Sequence, residues 1–233
     1  MELYRYIPFD SFVDIIQSKS LCFVYPPVTW KDSYEGYAYR AMQTEKGRQR
    51  ICEILETMGI NHRLADMFLN EKILSIVRYQ CWTRVKDNVA LWSIYSFDSK
   101  AIMISTTSEK LEELGVDESK RVKCVPMKYV KSHSLEDEIR AIFKLTTVDT
   151  GAVFHTKRSD FEHECEVRAF VGTPGFYNVN TPLKVPISDI HDFIDGVMVH
   201  PSAPSWYVET VENYCMANNI TFLGQSKLYK FES

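Results

Sequence analysis

The sequence predicts an α+β domain built on a twisted sheet of mixed or largely antiparallel strands. Three observations carry that expectation. Strand-like and helix-like segments interleave without a fixed period, no repeat or low-complexity tract interrupts them, and 45% hydrophobic with 25% charged residues in 233 is an ordinary globular composition. A single domain over residues 1–233 is expected, with a helical insertion at about 38–79 after the second strand.

LYRY opens the chain as a short aromatic strand, and Pro8 sets the start of an amphipathic helix carrying Phe12, Ile15 and Ile16 on one face. LCFVYP resumes an extended pattern at Leu21–Tyr25, and Pro26-Pro27 ends any ladder there because proline has no N–H to donate. From Ala38 to about Tyr79 the apolar spacing is helical, through Ile51, Ile54, Leu55 and Met58, then Leu64, Met67, Phe68, Ile73, Leu74 and Val77. Gln80–Thr83 reads as a strand, and Asp87 or Asn88 can cap a helix with Leu91, Trp92 and Tyr95. AIMIST is a strand, followed by a helix at Glu109–Leu114, a strand at Val122–Tyr129 and a helix with Leu135, Ile139, Ile142 and Phe143. Glu164–Val171, Leu183–Val185 and Gly196–Val199 are expected strands, Ser205 a helix cap, and ITFLG and KLYKF the closing strands.

A formal net charge of -4 gives no global positive excess to hold a nucleic-acid backbone. The six cysteines form no C-x-x-C pair and read as buried thiols of a reduced cytoplasm. MELYRYIPFDSF lacks the basic start and apolar core of a signal peptide, and no run approaches the ~20 apolar residues of a membrane span, so a cytoplasmic protein with no membrane partner is expected. None of the six histidines stands at metal-ligand spacing, and no G-x-S-x-G, P-loop or G-x-G-x-x-G occurs. No metal is expected.

In FEHECEVRAF, period-2 alternation would send Glu162, Glu164, Glu166 and Arg168 to one face of a strand. Carboxylates at i and i+2 on a strand stand roughly 6–7 Å apart. At that separation one can polarise a nucleophile while the other steadies positive charge on a sugar carbon. The same pattern also describes a solvated edge strand. Arg5, between Tyr4 and Tyr6, faces opposite to its neighbours and offers a planar fork to phosphate or carboxylate, with a cross-strand ion pair as the plain alternative. Trp30, Asp32 and Glu35 in an early loop, and Trp82, Trp92 and Tyr95 around the capped helix, supply flat surfaces that hold a ring or simply fill the core.

LYRY, SLCF, TWKDSYEG, QCWT with DNVALWSIYS, and Lys157 followed by FEHECEVRAF together resemble a bacterial family catalogued as domain of unknown function twenty-nine seventy-one. The chain departs from that pattern at VMVHP, where His200 stands after the late strand. More distantly, the order of an arginine on the first strand, a polar-aromatic loop and a late E-x-E looks like the ADP-ribosyltransferase superfamily, whose split α+β sheet binds NAD. That resemblance implies Glu166 as the carboxylate that steadies an oxocarbenium-like transition state, and Glu164 as the group that orients the acceptor. It also implies Arg5 as the phosphate or ribose anchor. Tyr4, Trp30, Trp92, Tyr95 and Arg168 complete the expected NAD-binding set, while Ser105 and Ser93 both remain open for the middle position. Three function classes follow: an NAD-consuming transferase or glycohydrolase acting on a nucleotide with a protein or nucleic-acid acceptor; a non-catalytic nucleotide-sensing or partner-binding module; and a nucleic-acid enzyme holding a divalent ion on Asp32, Glu35, Glu164 and Glu166.

Overall fold

The computed structural model describes residues 1–25, 35–60, 77–96, 98–118, 120–131, 134–144, 147–148, 154–173 and 181–230. In chain order these form β1 (Glu2–Pro8), α1 (Phe9–Ser18), β2 (Ser20–Phe23), α2 (Tyr37–Met42), α3 (Glu45–Thr57), β3 (Val77–Thr83), α4 (Val89–Tyr95), β4 (Ala101–Thr107), α5 (Ser108–Glu113) and β5 (Lys123–Pro126). There follow β6 (Lys128–Val130), α6 (Leu135–Ile142), β7 (Phe143–Lys144), β8 (Thr147–Val148), β9 (Thr156–Arg158), a 3-10 turn (Ser159–Glu164), β10 (Glu166–Gly172), β11 (Leu183–Pro186), α7 (Ile190–Phe193), β12 (Gly196–Val199), α8 (Ser205–Ala217) and β13 (Phe222–Gln225).

Seven strands make the main sheet in the order β13-β12-β4-β1-β3-β10-β5. Every neighbouring pair in it is antiparallel except β12 with β13. The fold is therefore α+β with a mixed, mostly antiparallel sheet, as the interleaved pattern predicts. Alternation along β1 divides its neighbours between two cores: Leu3 and Ile7 join the main one with Phe12, Trp82 and Val167, while Tyr4 and Tyr6 join a smaller one with Leu91 and Trp92 beneath α4. A third core gathers residues of α2, α3 and α6 against Val77 and Tyr79 of β3. Among the described residues no helix is long and apolar enough to cross a membrane.

Several local expectations are corrected. Val77–Tyr79 belongs to β3, not to the preceding helical run, because this central strand is buried on both faces and so loses the alternation that marks a strand. The strand expected over Val122–Tyr129 divides at Met127, whose N–H donates to the Glu166 carbonyl at 2.9 Å. Pro204, not Ser205, occupies the N-cap of α8. In the expected closing strand KLYKF, Lys227–Lys230 instead closes a turn through a 2.9 Å backbone bond, and Phe231 lies outside the described residues. Leu64 to Ile73 of the expected helical insertion lie outside the described residues. All six cysteines are free, and only Cys215 is fully buried.

The feature that creates a site is a fork in the sheet. β1 pairs with β4 along its whole length from Glu2 to Pro8, but it meets β3 only at Tyr4 and Thr83. Beyond that point β3 turns to a different partner: Val24 and Tyr79 exchange backbone hydrogen bonds of 3.0 and 2.8 Å. β2, just before Val24, pairs in turn with β11. The two branches diverge, and α1 packs at the opening. α4 is held over the other face by its cap, since Asn88 Oδ1 accepts from the N–H groups of Ala90 and Leu91 and the Asn88 N–H donates to the Tyr6 hydroxyl. Asn88→Ala removes that side-chain cap; a loss of about 1 kcal/mol and a fall in Tm of roughly 2–4 °C are expected in a thermal melt.

Candidate functional site

A cavity of about 650 Å3 occupies the fork, within the range of small-molecule sites. One wall comes from Tyr4–Pro8 of β1, another from Tyr79–Thr83 of β3 with Cys22 and Val24, a third from Asp10, Ser11, Asp14 and Ile15 at the start of α1. Tyr95 of α4 stands at the rim, 43% exposed, and Glu164 and Glu166 close one end.

Arg5 is half-buried in this cavity. Its guanidinium lies 6.0 Å from the centre of the Trp82 ring, and among the described residues no carboxylate or carbonyl takes a hydrogen bond or ion pair from it. Burial pulls its pKa down from 12.5; the desolvated cation has solvent and the empty volume in front of it.

The two glutamates are built differently from the expected flat strand face. Ser159–Glu164 is a 3-10 turn, Cys165 takes the left-handed conformation at φ 42, and β10 begins only at Glu166. Glu162 is therefore exposed and apart from the others, whereas Glu164 and Glu166 are buried. The kink is fixed on both sides: Thr83 Oγ1 donates to the Glu164 carbonyl at 2.6 Å, the Arg84 N–H to the Cys165 carbonyl at 3.2 Å, and the Glu166 N–H to the Tyr129 hydroxyl at 2.7 Å.

Lys157 clamps the pair. The parallel ladder of β6 with β9 sets it opposite Tyr129, and its Nζ donates to Glu164 Oε2 at 2.6 Å and Glu166 Oε2 at 3.1 Å, 4.8 Å from the Phe161 ring centre. Behind Glu166 lies Arg168, fully buried, whose Nε donates to Glu166 Oε1 at 2.7 Å while its other nitrogens bond Glu35 and the Phe154 carbonyl. Burial alone would depress the Lys157 pKa, but Glu166 and Glu164 outweigh it and hold it above 10.5. Burial raises the Glu166 carboxyl above 4.5 against the pull of Lys157. Burial, and next the neighbouring Glu166 carboxylate, hold the Cys81 thiol well above 9.0.

Of the residues singled out in the sequence, Arg5, Tyr4, Tyr95, Glu164 and Glu166 line this one cavity. Arg168 does not: its guanidinium is consumed behind Glu166. Trp92 is fully buried under α4, edge-on to Tyr6 at 4.7 Å and donating from Nε1 to Asp87 at 2.8 Å. Ser105 bonds the Gly196 carbonyl across the sheet and Ser93 the Val89 carbonyl along its own helix, and neither lines the cavity. Trp30 and Asp32 lie outside the described residues. Of the acidic set weighed for a divalent ion, Glu35, Glu164 and Glu166 each already pair with a cation, and among the described residues no metal-holding group of His, Cys, Asp and Glu is found. Lys157, Cys81 and Gln80 stand in the motifs that carry the family resemblance but receive no role there, because their roles depend on contacts between strands distant in the chain. No family model, curated protein or solved structure matches the chain.

Lys157→Met leaves two buried carboxylates without their shared cation, and a loss of about 3–5 kcal/mol is expected. A folded-state lysine pKa above 10.5 means that this contribution is whole below the unfolded value and lost only as pH climbs through the folded one. Thermal melts of wild type and Lys157→Met should therefore differ by a constant amount from about pH 7 to 9 and converge above ~10.4.

Proposed function

We propose that the chain is an NAD-consuming enzyme of the ADP-ribosyltransferase or NAD glycohydrolase kind. The observation that carries this reading is the polarity of one cavity: it is lined by Arg5, a cation that stands over the Trp82 ring and has no carboxylate partner among the described residues, and by a buried carboxylate pair, Glu164 and Glu166. NAD has the complementary polarity, with a pyrophosphate for the guanidinium and a ribose carbon that becomes positive as nicotinamide leaves. Tyr95, with its ring at the rim, is available to cover the departing base. The leaving group departs neutral, so the site needs positioning and charge stabilisation more than a strong general acid. The fork between β1 and β3 supports the reading further, since a split sheet is what the distant superfamily resemblance implies.

In this reading Arg5 holds the pyrophosphate, the carboxylate pair faces the reacting ribose, and Lys157 keeps that pair in register. The acceptor is water, a protein or a nucleic acid.

Nicotinamide release from NAD by the purified chain tests this. The double substitution Glu164→Gln with Glu166→Gln should lower kcat about 1000-fold, and Arg5→Met should raise KM about 10- to 100-fold through the lost charged hydrogen bonds. Because Glu166 titrates above 4.5, turnover by wild type should fall off on the acid side at a pH above that value. The absence of both nicotinamide release and any thermal shift with NAD would sink the proposal; a thermal shift without release would turn it into a nucleotide sensor.

A further inference from the structure

Glu164 and Glu166 share Lys157, yet they are not equivalent. Glu166 is held through both oxygens: Oε1 accepts from Arg168 Nε at 2.7 Å, and Oε2 accepts from Lys157 at 3.1 Å and Arg168 Nη2 at 3.4 Å. To meet a new positive centre it would have to abandon contacts with two cations. Glu164 accepts through Oε2 alone, from Lys157 at 2.6 Å. Among the described residues nothing donates to its Oε1, and that oxygen is not sealed off, since the residue lines the cavity and is absent from the buried unpaired atoms. One oxygen tied and one open is the arrangement of a carboxylate set in place before charge develops.

We infer that Glu164 is the carboxylate that meets the reacting ribose carbon, and that Glu166 and Lys157 are positioning residues that hold it there. This rests on the NAD-consuming reading, and it exchanges the two roles that the superfamily resemblance implies. The backbone agrees with it. Glu164 is fixed by the Thr83 hydroxyl on its carbonyl and by the left-handed Cys165 that follows, so its side chain leaves the turn while Glu166 leaves the first position of β10. The Tyr95 hydroxyl at the rim is raised in pKa by burial and next by Glu164, ahead of Glu166.

In the step this describes, the bond between ribose C1′ and the pyridinium nitrogen breaks, and its electron pair leaves on nitrogen as neutral nicotinamide. Positive charge spreads over C1′ and the ring oxygen, facing Glu164 Oε1. A lone pair of water or the acceptor forms the new bond to C1′, and its proton passes to Glu164 and then to solvent.

Nicotinamide release, NAD affinity and Tm of wild type, Glu164→Gln, Glu166→Gln and Glu166→Asp test it. Glu164→Gln should lose about 1000-fold in kcat with KM little changed, and because it breaks the buried pair with Lys157 its Tm should fall. Glu166→Gln should lose only about 10- to 100-fold in kcat at unchanged KM, partly restored in Glu166→Asp. Should Glu166→Gln fail to fold, Glu164→Gln decides alone: turnover above a tenth of wild type overturns the inference. Inactive Glu166→Gln beside active Glu164→Gln overturns it too and leaves the NAD reading standing. A wild type that neither releases nicotinamide nor binds NAD removes both.

Discussion

β1 and β3 pair in the sheet through one pair of residues, Tyr4 and Thr83, and the site depends on their parting. Two neighbouring strands in a sheet would ordinarily satisfy each other's backbone groups along their length. Here β3 finds its next partner in Val24 instead, and the side chain of Gln80 spans part of the gap, donating to the Cys22 carbonyl at 3.1 Å and accepting from Trp82 Nε1 at 2.9 Å. Those substitutes let the fork stay open without stranding polar groups. They also put Arg5, which would otherwise sit over a closed sheet, against an empty volume.

The second constraint is electrostatic. Glu35, Glu164 and Glu166 face Lys157 and Arg168 in a nearly dry cluster, three negative groups against two positive. Each cation is shared between carboxylates, which offsets much of the cost of burying charge. Arg5 lines the same cavity and, among the described residues, makes no ion pair with this cluster.

Much of the fold was legible in the sequence because local pattern and tertiary role agree. β1, α1, β4, α6 and β12 stand where apolar spacing puts them. The reading failed where a strand is buried on both faces, as at Val77–Tyr79, and where one residue leaves the regular backbone, as at Cys165. FEHECEVRAF alternates as a strand should, and nothing within it announces a left-handed cysteine; the turn is set by Thr83, Arg84 and Tyr129, all far away in the chain. Arg5, Glu164 and Glu166 could be picked out as candidates by residue type and spacing. Lys157 and the captivity of Arg168 could not, since both are properties of which strands lie together.

Arg168 also ties the helical part of the molecule to the carboxylate cluster. Its bond to Glu35 fixes the residue that leads into α2, and its bond to the Phe154 carbonyl fixes a ring that packs in the same core as Ala38 and Met42. Lifting α2 away would cost this guanidinium its bond to Glu35. The helical core and the carboxylate cluster are thus linked through one buried side chain.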